Sequence, residues 1–156
     1  MITKTQNTNL SRKGVFDKIV QFEEVMSNMD NAMFDDVCPL RHIFGDDIYV
    51  REITMPAGMV LTSKIHKTNH PFFVIKGDVS VVTEDGVVRI KAPYWGMTKA
   101  GTKRVLHIHS ETVWITVHAT KEKNLDKIEN ELIAKNYNEL PIRVRREIEG
   151  DTKWHL

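Results

Sequence analysis

Between residues 55 and 118 the chain alternates short runs of β-forming residues with turn residues, and this pattern restricts the fold more than any other feature. Asp85 and Gly86 separate two valine-rich runs, and an Asp-Gly step in that position favours a tight β-hairpin. Many short strands joined by regular turns are typical of a β-sandwich or β-barrel. The predicted strands are residues 48–55, 60–66, 72–76, 79–83, 87–91, 103–109 and 112–118.

Helical periodicity flanks this β region on both sides. Upstream, apolar residues recur at helical spacing from residue 15 to residue 29, which predicts an amphipathic helix followed by a break at residues 35–39. Downstream, Leu125, Ile128 and Leu132 form an apolar stripe, with Asn124 as its N-cap. The expected parts are a polar arm and amphipathic helix at 1–40, a β-barrel at 41–120, and a helix with a charged tail at 121–156.

The composition limits the partners of such a chain. Its 156 residues suffice for one domain with one core, and a net charge of +1 gives no general attraction to nucleic acid or to an anionic membrane. No apolar run approaches the roughly 20 residues that cross a bilayer, and the N-terminus lacks the apolar stretch of a secretory signal. Cys38 is the only cysteine, which fits a reducing compartment. We expect a cytoplasmic protein with no nucleic-acid or membrane partner.

Histidines are concentrated in the predicted barrel, and two of them suggest a metal site. His66 and His70 lie four residues apart around a turn that would aim both rings at one point. Neutral imidazole is the commonest protein ligand of first-row divalent metals, and a third ligand is needed. His107 is the candidate for it, but strand alternation leaves open whether His107 or Arg104 points inward.

Two segments resemble the conserved blocks of the cupin family. The first, G-M-V-L-T-S-K-I-H-K-T-N-H-P-F-F-V-I-K-G, runs from residue 58 to residue 77, and the second contains K-A-G-T-K-R at residues 99–104. In the first block, His66 takes the second histidine position and His70 the glutamate position, while Lys64 stands where the first histidine is expected. In the second block, Arg104 stands at the histidine position. The resemblance covers about residues 48–118 and implies a mainly β fold: a single cupin-like jelly-roll β-barrel with an N-terminal helix and a C-terminal helix.

The two cations at ligand positions change what the resemblance implies. Lys64 and Arg104 would repel a divalent metal, and buried cations require partners. A bound anion satisfies both, so we expect a pocket for a small anionic molecule, lined by Lys64, His66, His70 and Arg104. In the alternative reading, Lys64 extends into solvent and Arg104 pairs with Glu52 or Glu111.

Further segments, at residues 38–53, 101–105 and 111–118, resemble small cupin-like proteins encoded by tailed bacteriophages. This likeness implies a phage-encoded protein, in the host cytoplasm or associated with the virion. Our first hypothesis is a cupin that binds a small anion without turnover.

Two other functions stay open at this point. One is a metal-dependent cupin enzyme of the oxygenase, isomerase or lyase type, with one divalent transition metal on His66, His70 and His107, and with His118 or Glu111 as acid or base. The other is a structural or virion-associated module. Because cupins commonly dimerise, the resemblance also implies a homodimer.

Overall fold

A computed structural model describes residues 2–4, 11–33, 37–83 and 86–150. Antiparallel strands dominate the fold, and helices lie before and after them. The elements in chain order are β1 (Ile2–Lys4), α1 (Arg12–Ser27), β2 (Leu40–Gly45), β3 (Ile48–Met55), β4 (Val60–Thr62), β5 (Ile65–His66), β6 (His70–Thr83), β7 (Gly86–Lys91), β8 (Tyr94–Thr98), β9 (Val105–Ala119), α2 (Leu125–Leu132), β10 (Ile133–Ala134), a 3-10 turn (Tyr137–Glu139) and α3 (Ile142–Ile148).

Two long antiparallel strands, β6 and β9, organise the barrel because each of them takes part in two layers. The start of β6 and the end of β9 join β8, β3 and β2 in what we call the front sheet. The end of β6 and the start of β9 join β1, β7 and β4 in the back sheet. The ladder between β6 and β9 is irregular from Val74 to Val79, where one layer passes into the other.

A glycine makes this bend possible. Gly77 has a φ of 108°, and a Cβ at this position would lie 2.6 Å from the carbonyl oxygen of Glu111 and would overlap the side chain of Thr112. A side chain would therefore push β6 away from β9 at the point where both strands change layer.

The inward residues of both sheets form one apolar core. Val74 and Trp114 of the front sheet belong to the same buried cluster as Val79, Val81 and Ile108 of the back sheet. A second cluster joins Phe16 of α1 to Val144 and Ile148 of α3, next to the turn at residues 99–102. The helices therefore pack against one end of the barrel.

The predicted fold class, mainly β with helices at both ends, is confirmed. Asn124 caps α2 as expected, its side chain accepting a hydrogen bond from the Lys127 N–H at 3.1 Å. The predicted strand 60–66 is interrupted at Ser63 and Lys64, and four shorter predicted strands merge into β6 and β9.

Other elements were not expected from the sequence. Strands β2 and β8 belong to the front sheet, and part of the predicted charged tail forms α3. Asp35 and Asp36, part of the predicted break, and the hairpin residues Glu84 and Asp85 lie outside the described residues. None of the helices in the described ranges has the length and apolar character needed to cross a bilayer.

Helix α1 is held on the barrel by a buried cation, which gives a test of this packing. The side chain of Lys103 is only 6% exposed, and its Nζ lies 2.7 Å from Glu23 Oε2. Replacing Glu23 with alanine leaves this ammonium buried without its counter-charge, so we expect a loss of about 1–3 kcal/mol in the free energy of unfolding. Urea denaturation measures it, with Glu24→Ala, an exposed change on the same helix, as the control. Equal stability of the two variants would contradict the role of the ion pair.

Candidate metal centre

Three histidines meet inside the barrel at the end covered by the helices. His66 ends β5, His70 begins β6, and His118 lies near the end of β9. The ring centroids are 4.3 Å apart for His66 and His70, 4.6 Å for His70 and His118, and 5.1 Å for His66 and His118. One ring nitrogen from each can be chosen so that all three lie within 4.8 Å of one another. We call these residues the histidine cluster.

The backbone around the cluster is fixed by elements distant in sequence. His66 pairs with Ile133 of β10, and its carbonyl accepts a hydrogen bond from the Gly101 N–H at 2.8 Å. Between His66 and His70, the Asn69 Oδ1 accepts the Ala100 N–H at 2.7 Å. The C-terminal segment and the turn at 99–102 therefore both hold the loop that carries two of the three rings.

Helix α2 closes this end of the barrel. Its Ile128 and Leu132 pack on Tyr49, whose ring stacks on His118 at a centroid distance of 5.9 Å. His70 and His118 are each 3% exposed. The cluster thus lies in a poorly solvated region in which a charged imidazole is costly.

Hydrogen bonds occupy one nitrogen on each of two rings and leave the other for a ligand. The Nδ1 of His70 lies 3.2 Å from the Thr68 carbonyl oxygen, which can only accept, so Nδ1 donates and Nε2 carries the lone pair. The Nε2 of His118 lies 2.9 Å from Thr116 Oγ1. The His118 Nδ1 is buried and has no hydrogen-bond partner within the described part of the chain. Metal-binding histidines are typically oriented in this way, by hydrogen bonds through their second nitrogen.

All three rings are neutral at neutral pH. Burial, together with the neighbouring histidines and with Arg51 and Arg104, lowers the pKa of His66 to about 2. Burial, His70 and Arg51 lower the pKa of His118 to about 4. The pKa of His70 is also lowered by burial, partly offset by the Thr68 carbonyl. Neutral imidazole is the form that binds metal, so the protonation state suits a ligand set.

Arginine side chains give the site a positive surrounding. Arg104 donates from Nη1 to Thr98 Oγ1 at 3.0 Å, and its guanidinium lies 5.2 Å from the Phe72 ring centroid and 5.8 Å from that of Trp114. Arg51 stands on the inner face of β3, opposite Thr116. Three neutral nitrogens would leave the charge of a divalent ion uncompensated. An anion beside the arginines would balance it.

The structure brings together some of the predicted site residues and separates others. The rings of His66 and His70 lie next to each other, and Arg104 lies close enough to help lower the pKa of both. Lys64 instead lies at the surface, 44% exposed, with its Nζ 2.9 Å from Glu129 Oε1. The interruption of the predicted strand at Ser63 and Lys64 removes the alternation that would have placed Lys64 inside.

His107 and Glu111 also lie away from the cluster. His107 is exposed on the outer face of the back sheet beside His109, because Leu106 and Ile108 on either side of it point into the core. Glu111 is exposed at the bend, with its Oε1 2.7 Å from Lys76 Nζ.

The sequence suggested His118 only as a possible acid or base, but it also contained a signal that His118 points into the barrel. In the predicted strand 112–118, Trp114 and His118 fall on the same face. A tryptophan is highly buried on average, although Trp95 is not, so Trp114 favours an inward face for itself and for His118.

Comparisons with known proteins support the fold. No protein-family model and no curated protein sequence matches the chain. Among solved structures, ectoine synthase from P. lautus has a TM-score of 0.52 at 12% identity, over 72% of this chain and 85% of that one. Acetylacetone dioxygenase from Acinetobacter johnsonii has a TM-score of 0.46 at 19% identity, over 58% of this chain and 65% of that one.

A cupin domain from Bordetella pertussis has a TM-score of 0.43 at 16% identity, over 56% of this chain and 98% of that one. At these identities the similarities concern the fold alone, and the two scores below 0.5 add no argument of their own. The architecture of the chain is a cupin-like jelly roll with flanking helices, as predicted.

The lowered pKa values predict how the stability of the metal-free protein depends on pH. The unfolded chain binds protons at its histidines near pH 6.5, whereas folded His66 and His118 resist protonation. The stability that these neutral rings contribute is therefore fully present above about pH 6.5, and it is lost as the pH falls toward 4 and below. We expect His118→Gln to flatten this dependence in urea denaturation between pH 4 and 7, and the exposed change His109→Gln to leave it intact. An unchanged slope in His118→Gln would contradict the burial of a neutral ring.

Proposed function

We propose that this protein is a metal-binding cupin in which His66, His70 and His118 hold one divalent first-row transition ion and a small anion binds beside Arg104. The observation that carries the proposal is the donor set itself. Three neutral imidazoles converge, of which His70 and His118 are buried and His66 is partly buried, and the His118 Nδ1 has no partner in the described chain. A ligand set made only of histidine suits iron, nickel, copper or zinc better than magnesium, calcium or manganese, which prefer oxygen.

The residues around the cluster suggest how an anionic molecule would be selected. A bound divalent ion supplies a Lewis acid that favours an anionic oxygen ligand. Arg104 offers a planar donor group suited to a carboxylate, and its contacts with Thr98 and with the rings of Phe72 and Trp114 restrict its orientation. Arg51 adds a second positive charge near His66 and His118. The anionic ligand expected from the sequence is kept in this proposal, without Lys64.

An enzymatic role is the second candidate, and one observation favours it. The Tyr49 hydroxyl lies 2.6 Å from His42 Nδ1, while the Tyr49 ring stacks on His118. A phenol hydrogen-bonded to an imidazole beside the cluster can accept or deliver a proton. The choice among oxygenase, isomerase and lyase chemistry stays open, and so does the hypothesis that an anion binds without metal. A phage origin, a virion-associated role and a cytoplasmic location remain predictions from the sequence resemblance.

Metal stoichiometry tests the proposal directly. We expect chelator-treated protein, dialysed against zinc or nickel and then washed, to retain about one ion per chain by elemental mass spectrometry. His66→Ala and His118→Ala should each reduce retention at least tenfold, because two histidines bind far more weakly than three. His107→Ala is the matched control, since it removes an exposed ring outside the cluster. Metal retention by His118→Ala equal to that of the parent protein would refute the site.

Anion binding tests the role of Arg104 separately. With zinc bound, we expect oxalate titrated by calorimetry to bind, and Arg104→Gln to weaken it about 10- to 100-fold, since a hydrogen bond to a charged group contributes about 1.5–3 kcal/mol. Lys64→Gln, at the surface, should leave the affinity unchanged. Equal oxalate binding to metal-free protein would support an anion site without metal. Equal weakening by the two variants would contradict the assignment to Arg104.

A further inference from the structure

The outer face of the back sheet carries a second group of histidines, far from the enclosed cluster in its exposure to solvent. His107 and His109 are two residues apart in β9, and both are exposed. Strand alternation places both side chains on the same face, and their ring centroids are 4.5 Å apart. We call these two residues the outer histidine pair.

The backbone that carries the outer histidine pair is held on both sides. His107 is paired with Val60 of β4 on one side and with Ser80 of β6 on the other. Ile108, between the two histidines, is fully buried, and its N–H and carbonyl both form hydrogen bonds with residues 58–59, at 2.9 and 2.7 Å. Only side-chain rotation therefore has to be restricted when the pair binds a ligand, which keeps the entropic cost of binding low.

A hydroxyl on the neighbouring strand orients one of the two rings. The Nε2 of His109 lies 2.7 Å from Ser80 Oγ. A hydroxyl both donates and accepts, so the ring can donate from Nε2 and keep its lone pair on Nδ1. Histidines that bind metal are typically oriented through their second nitrogen in this way.

The charges near the outer histidine pair tolerate a cation. Arg89 lies opposite Ser80, and both carboxylate oxygens of Asp78 accept hydrogen bonds from its guanidinium, at 2.7 and 2.8 Å. The pKa of Asp78 is lowered mainly by Arg89 and to a smaller extent by Lys91 and His109, so this carboxylate lies within electrostatic range of the pair. The nearby arginine is thus neutralised by an anion that also faces the histidines.

We propose that His107 and His109 form a second metal site, on the outside of the barrel, which chelates one late first-row divalent ion, with water completing its coordination. Imidazole suits copper, nickel and zinc, and affinity for nitrogen ligands is highest near copper in this series. Two exposed ligands hold an ion less firmly than three enclosed ones, so the ion exchanges with solvent. The washing step that leaves metal on the histidine cluster therefore empties this site. The proposal is independent of the function proposed for the cluster.

Chromatography of the untagged chain on immobilised nickel tests the site, because an ion fixed to a resin reaches only ligands at the protein surface. We expect the parent protein to be retained until imidazole is added, and His107→Gln and His109→Gln each to elute at a clearly lower imidazole concentration. Two controls should elute with the parent protein. His118→Gln removes a ring of the enclosed cluster, and His155→Gln removes a histidine outside the described residues.

Two results would overturn the site. One is a parent protein that passes through the resin without retention. The other is retention that persists in both His107→Gln and His109→Gln, or that disappears in either control while the control is folded by circular dichroism. The exposure of both rings makes misfolding an insufficient explanation for a loss of retention in the two test variants.

Calorimetric titration with nickel measures the affinity and the role of Ser80 in solution. In a His118→Gln background, which disables the enclosed cluster, adding His109→Gln should weaken nickel binding at least about tenfold, the cost of losing even an outer partner of a ligand. Ser80→Ala should weaken it about tenfold, whereas Ser80→Thr, which keeps the hydroxyl, should restore it. Equal nickel affinity with and without His109 would refute the chelate, and equal affinity of Ser80→Ala and Ser80→Thr would refute the orienting role of the hydroxyl.

Discussion

The antiparallel pairing of β6 with β9 is the constraint on which the rest of the structure depends. Because the two strands run in opposite directions, the start of β6 lies beside the end of β9, with Phe72 opposite Thr116. His70 and His118 are 48 residues apart in the chain, and this register brings them to the same end of the barrel. The bend at Gly77 then folds the other halves of both strands into the back sheet, which completes the core.

Closure of that end by the C-terminal segment determines the chemistry of the cluster. The pairing of β10 with β5 fixes His66, and α2 covers Tyr49 and, through it, His118. Exclusion of water keeps the rings neutral. The same exclusion raises the cost of placing a cation nearby. For Arg104, contacts with the faces of two aromatic rings and with the hydroxyl of Thr98 offset part of this cost. The fold thus combines neutral nitrogen ligands with cationic groups, an arrangement suited to a metal-bound anion.

The sequence predicts the fold class and the position of the site better than it predicts the ligand set. The strand pattern and the turn residues were enough to predict a β-barrel, and the turn between His66 and His70 was enough to predict that their rings lie close together. Lys64 was misplaced because alternation predicts orientation only within an unbroken strand, and the chain leaves the strand at Ser63. His118 reaches the cluster through the pairing register of strands that are distant in sequence, and the spacing of residues along the chain does not reveal that register. A large apolar neighbour was the available guide: Trp114 indicates the inner face of its strand.

The polarity of the front sheet explains why its inward residues are difficult to predict from the sequence. Near the cluster its inner face carries histidine, threonine and arginine, while its outer face carries tryptophan, methionine and isoleucine. A pattern with polar residues inside and apolar residues outside inverts the usual rule for a two-layer barrel. The inner polar groups are stabilised by partners within the chain: Arg104 donates to Thr98, His70 to the Thr68 carbonyl, and His118 shares a hydrogen bond with Thr116. Within the described part of the chain, the His118 Nδ1 is the nitrogen of the cluster that is buried without a partner, and it is therefore the position at which a bound ligand would relieve the largest cost.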